Sequence, residues 1–486
     1  MNTKTAISRE TPVKDIWYYA IGEGSTSIAL NGVNNFGMIF YTQILGLSAG
    51  YAGLALGIST LWDAIADPLM GHITDNTKSK YGRRHLYIFI GGILLSTSFL
   101  FLWFVPATFR TSTQLLFCYL LVVNLILKTS LAIFVVPYTA LGFEVCTTYD
   151  GRSKLQGIRS FFNMAINFIF GAAAWALFFK DGIAKDGSRI DGTQISSNYL
   201  TMGATLAITS LILTLLCCHF TKKYIKDSRN MIMEGNSIRY FLHDIWAILK
   251  DKYAQKIFIF LAIAQFGMIL TAQLQIFAYV DFMQFSSMKK TFVHGSTMIG
   301  FALGSISIAA LVKHYDKKIT SYIGAGIAML GGIMLFVVFS CGIMNPHMSA
   351  NASGLIGWVP AFTFALFQFL FWGGCGILIP LATSMIADIS EINKYRTGIL
   401  KDGSYSAMFA FILKASSSGA LFITGFLLSF VGYVPEAQMQ TLSVAKNISS
   451  VAFLGGPILI FIAILTMINY PITKKFLDKV RDENIN

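Results

Sequence analysis

The chain has 486 residues, 55% of them hydrophobic, with only 13% charged and a mean hydropathy of +0.61. A soluble domain carries roughly 25% charged residues, so this balance excludes a water-soluble globular protein and points to a bilayer. The net charge of +13 is spread between apolar runs and forms no single patch, which excludes a nucleic-acid surface and reads as a topology signal.

The first twenty residues, "MNTKTAISRETPVKDIWYYA", are polar and have no cleavable signal pattern. Twelve apolar runs follow, centred near residues 34, 60, 95, 128, 170, 210, 268, 303, 332, 370, 418 and 460. Each is long enough to cross a hydrocarbon layer of roughly 30 Å, so the fold class is an all-α membrane protein with twelve transmembrane helices. An even number of spans puts both termini on one side. Segments on that side hold 28 Lys and Arg residues and the opposite loops hold 7, with Lys128 and Lys414 inside spans. Positive charge is retained in the cytoplasm, so both termini are expected there, in a plasma (bacterial inner) membrane.

In chain order, the first span carries amides at Asn31, Asn34 and Asn35. The second reads "WDAIADPLMGHITDNTKSKYGRRH" from Trp62 to His85. Asp63 and Asp67 lie on one face of it, about 6 Å apart along the axis. A charge inside a span costs at least roughly 2.5–3.5 kcal/mol, so such residues face a cavity or a partner. Paired carboxylates suit a hard cation, which wants several oxygen ligands, or a shared proton. The alternative is that Asp67 and Pro68 help to end the span while Asp63 bonds a nearby side chain. Gly71 is expected to allow close helix contact, Asp75 to cap or pair at the span end, and Arg83 and Arg84 to anchor the cytoplasmic face.

The fourth span, "LVVNLILKTSLAIFVVPY", holds Lys128 at its centre, readable either as a functional charge or as half of a structural ion pair. Arg159 shortly before the fifth span reaches a cavity or continues the cytoplasmic charge excess. Next, the connection 221–256 carries eight basic residues and divides the spans into an N-terminal half, 1–220, and a C-terminal half, 257–486. Trp372 in the tenth span, and Trp62 and Tyr41 earlier, offer rings that stack on a sugar face or simply pack. Lys414 lies mid-span in "FILKASSSG", placed to neutralise a second-span carboxylate.

A weak repeat supports two six-helix halves. Pro137, Glu144 and Arg152 after the fourth span are echoed by Pro380, Asp388 and Arg396 after the tenth, with eight residues from acid to arginine in each. "DNTKSKYGRR" after the second span has a short echo in "HYDKK" after the eighth. Such repeats suggest a transporter. The sequence has no P-loop motif, so the expected energy source is an ion gradient. The six cysteines have no metal-ligand spacing, and no nucleophile–base constellation marks an enzyme.

The second-span run closely resembles the signature of the glycoside–pentoside–hexuronide:cation symporters, the melibiose permease-like branch of the major facilitator superfamily. "FYTQILGLS", "VPYTALGFEVCTTYDGRSKLQGIRSFF", "MIADISEINKYRTG" and "FILKASSSG" agree in order along the chain. The resemblance implies a major facilitator fold and alternating-access symport of a sugar, glycoside or uronide with Na+ or H+, with Li+ as a further candidate. It implies no other cofactor, no nucleic-acid partner and function as a monomer. By the same resemblance Asp63 and Asp67 belong to the cation site, and Lys414 is the eleventh-span coupling lysine. The chain departs from the pattern where Ser27 stands in the first span and Val135 before Pro137 in the fourth, at positions that carry aspartates in the family. Two fewer carboxylates and an added Lys128 make an acidic sugar the expected substrate. The competing classes are a lysolipid or other organic-solute carrier of the same fold, and a non-transporting membrane sensor.

Overall fold

The computed structural model describes residues 11–77, 79, 81–146, 148–187, 189–225, 248–347, 354–397, 402–472 and 476. With no water in a bilayer core, each apolar run must satisfy its own backbone, and each does so as a helix. After a short helix at Val13–Ala20, the first span is Gly22–Ile39, continued by a π turn at Phe40–Ile44. Spans two to six are Ala49–Asp75, His85–Trp103, Thr113–Val145, Tyr149–Ile166 with a π turn at Asn167–Ala172, and Ser196–Thr221. The seventh is Lys252–Phe277. Ser287–Leu335 contains the eighth and ninth, parted at Asp316, whose φ of 66° and ψ of 160° are not helical. There the Asp316 carboxylate accepts the N–H of the next residue, Lys317, at 2.6 Å, where the ninth span begins. Val359–Thr397, Asp402–Phe430 and Leu442–Thr466 complete twelve.

By length and apolarity alone, nine of the described helices qualify as membrane spans. The eighth and ninth count there as one, and the first two spans fall short. Those two carry Asn31, Asn34 and Asn35, and Asp63 and Asp67. The polar residues that single them out for function are what lower their hydropathy.

The chain packs as two compact units. One draws on Met1–Gly37, Trp62–Ala174 and Ser196–Gly235, the other on Met38–Leu61, Trp175–Ile195 and Asn236–Asn486. In the first, Tyr19, Phe134, Tyr138, Leu141 and Leu155 form a buried core. Tyr19 and Tyr138 stack 4.6 Å apart, and each hydroxyl donates to the other's backbone carbonyl. In the second, Ile257, Phe260, Phe371, Leu378 and Leu381 are buried together. Gly300 and Gly304 let the eighth span approach the tenth: a Cβ on either would run into the backbone of Phe369 or Gly373. Most of the expected 221–256 connection, residues 226–247, lies outside the described residues.

The second unit also contains a two-stranded hairpin that the charge count did not anticipate. β1 (Gly182–Ile183) pairs with β2 (Arg189–Ile190). Arg189 donates to the carbonyls of Gln284 and Phe285, and Ser287 donates to the Phe179 carbonyl. Beneath it Lys290, with 0% of its side chain exposed, meets both oxygens of Asp191 at 2.5 and 2.6 Å. Burial alone would raise the Asp191 carboxyl. Lys290 and the Thr193 N–H and hydroxyl outweigh that and hold it below its usual range. Removing one partner of a buried pair costs about 3–5 kcal/mol, so Lys290→Met is expected to lower the thermal stability of the purified protein markedly. The pair's stabilisation is complete above the unfolded carboxylate value of about 3.9 and is lost as pH falls through the lowered folded value. Thermal unfolding followed from pH 7 to pH 3 checks this: the wild type should lose stability in acid, and Lys290→Met should lose less of it.

Candidate functional site

Two ladders of polar side chains face each other in the first unit. Glu23, Ser27 and Asn31 recur every fourth residue along the first span, and Arg159, Asn163 and Asn167 do so along the fifth. Residues four apart share a helix face, so each set forms one stripe. At one end Arg159 grips Glu23 Oε2 through Nη2 at 2.8 Å and Nε at 2.9 Å, with its guanidinium 5.2 Å from the Tyr138 ring centroid. Next, the Asn163 amide donates to Glu23 Oε1 at 3.2 Å and to Ser27 Oγ at 2.9 Å. Asn167 donates to Asn163 at 2.8 Å, and Asn31 donates to Asn167 and to the Ser27 carbonyl. Carboxylate, guanidinium and amides in one connected row can donate to and accept from the vicinal hydroxyls of a sugar.

The second and fourth spans meet along another pair of stripes. Asp63, Ala66 and Met70 face Lys128, Ala132 and Val136, and the small residues let the helices close up. Trp62 Nε1 donates to Thr129 Oγ1 at 2.9 Å, one residue along each helix from the charged pair. The Lys128 ammonium then lies 3.8 Å from Asp63 Oδ2, the side chains 8% and 6% exposed. Opposite unit charges about 4 Å apart attract by about 4 kcal/mol at an effective dielectric near 20, against several kcal/mol of desolvation per ion. The attraction does not offset the desolvation of both ions, so the pair itself adds little stability, and the large penalty falls on losing one member.

A third cluster gathers sequence-singled residues at the span ends. Glu144 Oε1 accepts from Arg83 Nη2 at 2.7 Å and from Arg84 Nε at 3.1 Å, all three side chains being buried. In the second unit Lys317, from the "HYDKK" echo, holds Asp388 at 2.6 Å. The two halves of the repeat thus make the same kind of bond: a base after the second or eighth span to an acid after the fourth or tenth.

Other expectations fare variously. Asp67 is half-buried one turn beyond Asp63, and Asn34 is exposed. Lys414 and Trp372 are half-buried in the second unit, where the Trp372 indole donates to Gln275 Oε1 at 3.1 Å. Close packing does not explain Gly71: a Cβ there would meet only Val136, at an ordinary 3.8 Å. The side chains of Asp75, Arg152 and Arg396 lie outside the described residues. The sequence reading missed Glu23, Asn163 and Asn167, although their four-residue spacing with Ser27, Asn31 and Arg159 was there to be seen. Among the described residues no group of three or more His, Cys, Asp or Glu side chains has metal-site geometry.

A family model described as MFS/sugar transport protein matches residues 18–474. The chain is 22% identical over 459 residues to the putative glycoside/cation symporter YagG of Escherichia coli (strain K12), covering 94% of this chain and 91% of that one. To the glucuronide carrier protein homolog of the same organism it is 22% identical over 463 residues, covering 94% and 92%. Among solved structures it is similar to a D-xylose–proton symporter, with a TM-score of 0.59 at 13% identity, covering 96% and 98%.

Proposed function

The chain belongs to the MFS/sugar transport protein family, multi-pass membrane transporters and not enzymes, and on that premise we propose that it carries a sugar or glycoside together with a monovalent cation by alternating access. The observation that carries this reading is the Glu23–Arg159 ladder. It strings six polar side chains through the first and fifth spans, where an unused polar group would be costly. The names of the relatives YagG and the glucuronide carrier homolog agree with a glycoside-like substrate and a cation partner. Asp63 and Asp67 are assigned to cation coupling because they share a helix face inside a span, one of them buried beside Lys128. Two six-helix halves joined by the 221–256 connection, with both termini cytoplasmic, complete the reading on the strength of the basic-residue bias.

The charge of the substrate is read differently once Lys128 has a partner. The expectation of an acidic sugar rests on two fewer carboxylates, at Ser27 and Val135, and on the added charge of Lys128, but Asp63 matches that charge, and Glu23 supplies a carboxylate one turn before Ser27, matched by Arg159. We therefore favour an uncharged sugar.

Uptake of labelled glycosides into vesicles, with and without imposed Na+ and H+ gradients, tests the function. Accumulation under one gradient is expected, and failure to accumulate or exchange any glycoside would sink the proposal. In the same vesicles a neutral parent sugar should compete at least as well as its uronide. In a cysteine-free background, Ile183→Cys should react with an impermeant maleimide from outside and Ser79→Cys only from inside. The reverse pattern would overturn the topology.

A further inference from the structure

We propose that Lys128 takes the place of a metal cation at Asp63, so that the positive partner of this carboxylate is built into the chain. The inference rests on reading Asp63 as part of the coupling site, and it concerns what that site accepts. Three observations carry it. First, the ammonium and Asp63 Oδ2 are 3.8 Å apart, with both side chains at least nine-tenths buried. Second, the register that brings them together is fixed on both sides: by the Trp62–Thr129 hydrogen bond one residue away, and by the packed Ala66, Met70 and Ala132 within two turns below. Third, Lys128 as a whole is 6% exposed, so its stem is enclosed along with its ammonium and the charged end has little access to water.

A hard cation bound at Asp63 needs several oxygen ligands drawn closely around it. The Lys128 ammonium stands in that approach and repels a second positive charge, strongly so away from water. Counting only these formal charges, Asp63, Asp67 and Lys128 sum to one negative charge, whereas the two carboxylates alone would carry two. Sodium or lithium is thereby deprived of half of the attraction that a bare carboxylate pair would offer.

The test uses the full-length purified protein in detergent, without sugar or gradient. Thermal unfolding is compared in NaCl, LiCl and choline chloride at equal ionic strength. In the wild type, Na+ and Li+ should give no more stability than choline. Lys128→Gln should melt lower in choline, and Na+ or Li+ should restore at least about half of the loss in a saturable manner. Lys128→Arg, which keeps the charge, should remain unresponsive, and the gain should vanish in Asp63→Asn/Lys128→Gln. Saturable stabilisation of the wild type by Na+ or Li+ overturns the proposal even if Lys128→Gln does not fold. So does a monodisperse Lys128→Gln that ignores both ions. Failure of glycoside uptake would overturn the transport reading and leave this binding result standing.

Discussion

Asp63→Asn is expected to reduce gradient-driven accumulation of substrate to simple equilibration while leaving some downhill exchange. The same change should also destabilise the protein, because it removes the carboxylate and leaves the Lys128 ammonium buried and uncompensated. Breaking one side of a buried pair costs about 3–5 kcal/mol, whereas replacing both partners by apolar groups is often neutral. The two effects therefore separate in a double mutant. Asp63→Asn/Lys128→Met should recover much of the lost thermal stability and still fail to accumulate substrate. A structural pair with no part in coupling would behave otherwise, with accumulation returning as the fold recovers. Full accumulation in a folded Asp63→Asn protein would remove the residue from the coupling mechanism. Strictly additive stability losses would show that the two side chains do not interact.

That partnership was half visible in the sequence. A charge in the middle of an apolar run needs a partner or a cavity, so Asp63 and Lys128 could each be singled out. Their meeting could not be read, because a span that is apolar all round has no amphipathic stripe to say which face a residue takes. Thr113–Val145 is such a helix, and the face that carries Lys128 emerges only when Ala132 and Val136 pack against Ala66 and Met70. The number of spans was legible for the converse reason: run length and hydropathy determine it one helix at a time. The break between the eighth and ninth spans was legible in the same way, from the charged run "KHYDKK", although that segment contains neither proline nor glycine.

Other features were legible but went unread. The hairpin at 182–190 is announced by Asp-Gly pairs at 181–182, 186–187 and 191–192, a turn signal independent of the loop's charge count. Glu23 stands at the very start of the first span, where it reads as a cytoplasmic end charge. Its place in a four-residue polar period with Ser27 and Asn31 is what marks it as facing another helix. The resemblance to the symporters directed attention to an aspartate missing at Ser27. The structure places a carboxylate one helical turn earlier, bridged to Ser27 by Asn163.

Arg159→Ala is accordingly the substitution expected to damage substrate binding most, by about a hundredfold or more in apparent affinity. Hydrogen bonds to charged groups contribute about 1.5–3 kcal/mol each, and this guanidinium organises the Glu23 end of the ladder through two of them. Its loss also leaves Glu23 with only the Asn163 amide among its described side-chain contacts in the ladder. Arg159→Lys discriminates between charge and shape. It keeps the positive charge but gives up the planar fork and the stacking over Tyr138, so affinity should fall between that of the wild type and that of Arg159→Ala. Asn163→Ala removes one bond to the charged Glu23, worth about 1.5–3 kcal/mol, and one to the neutral Ser27, worth about 0.5–1.5 kcal/mol, and should weaken binding by roughly tenfold or more, but less than Arg159→Ala does. Equilibrium binding to purified protein, with thermal unfolding measured in parallel, separates loss of the site from loss of the fold. If a folded Arg159→Ala protein bound glycosides as the wild type does, the ladder would be a structural clasp between the first and fifth spans, and the sugar would have to be sought elsewhere.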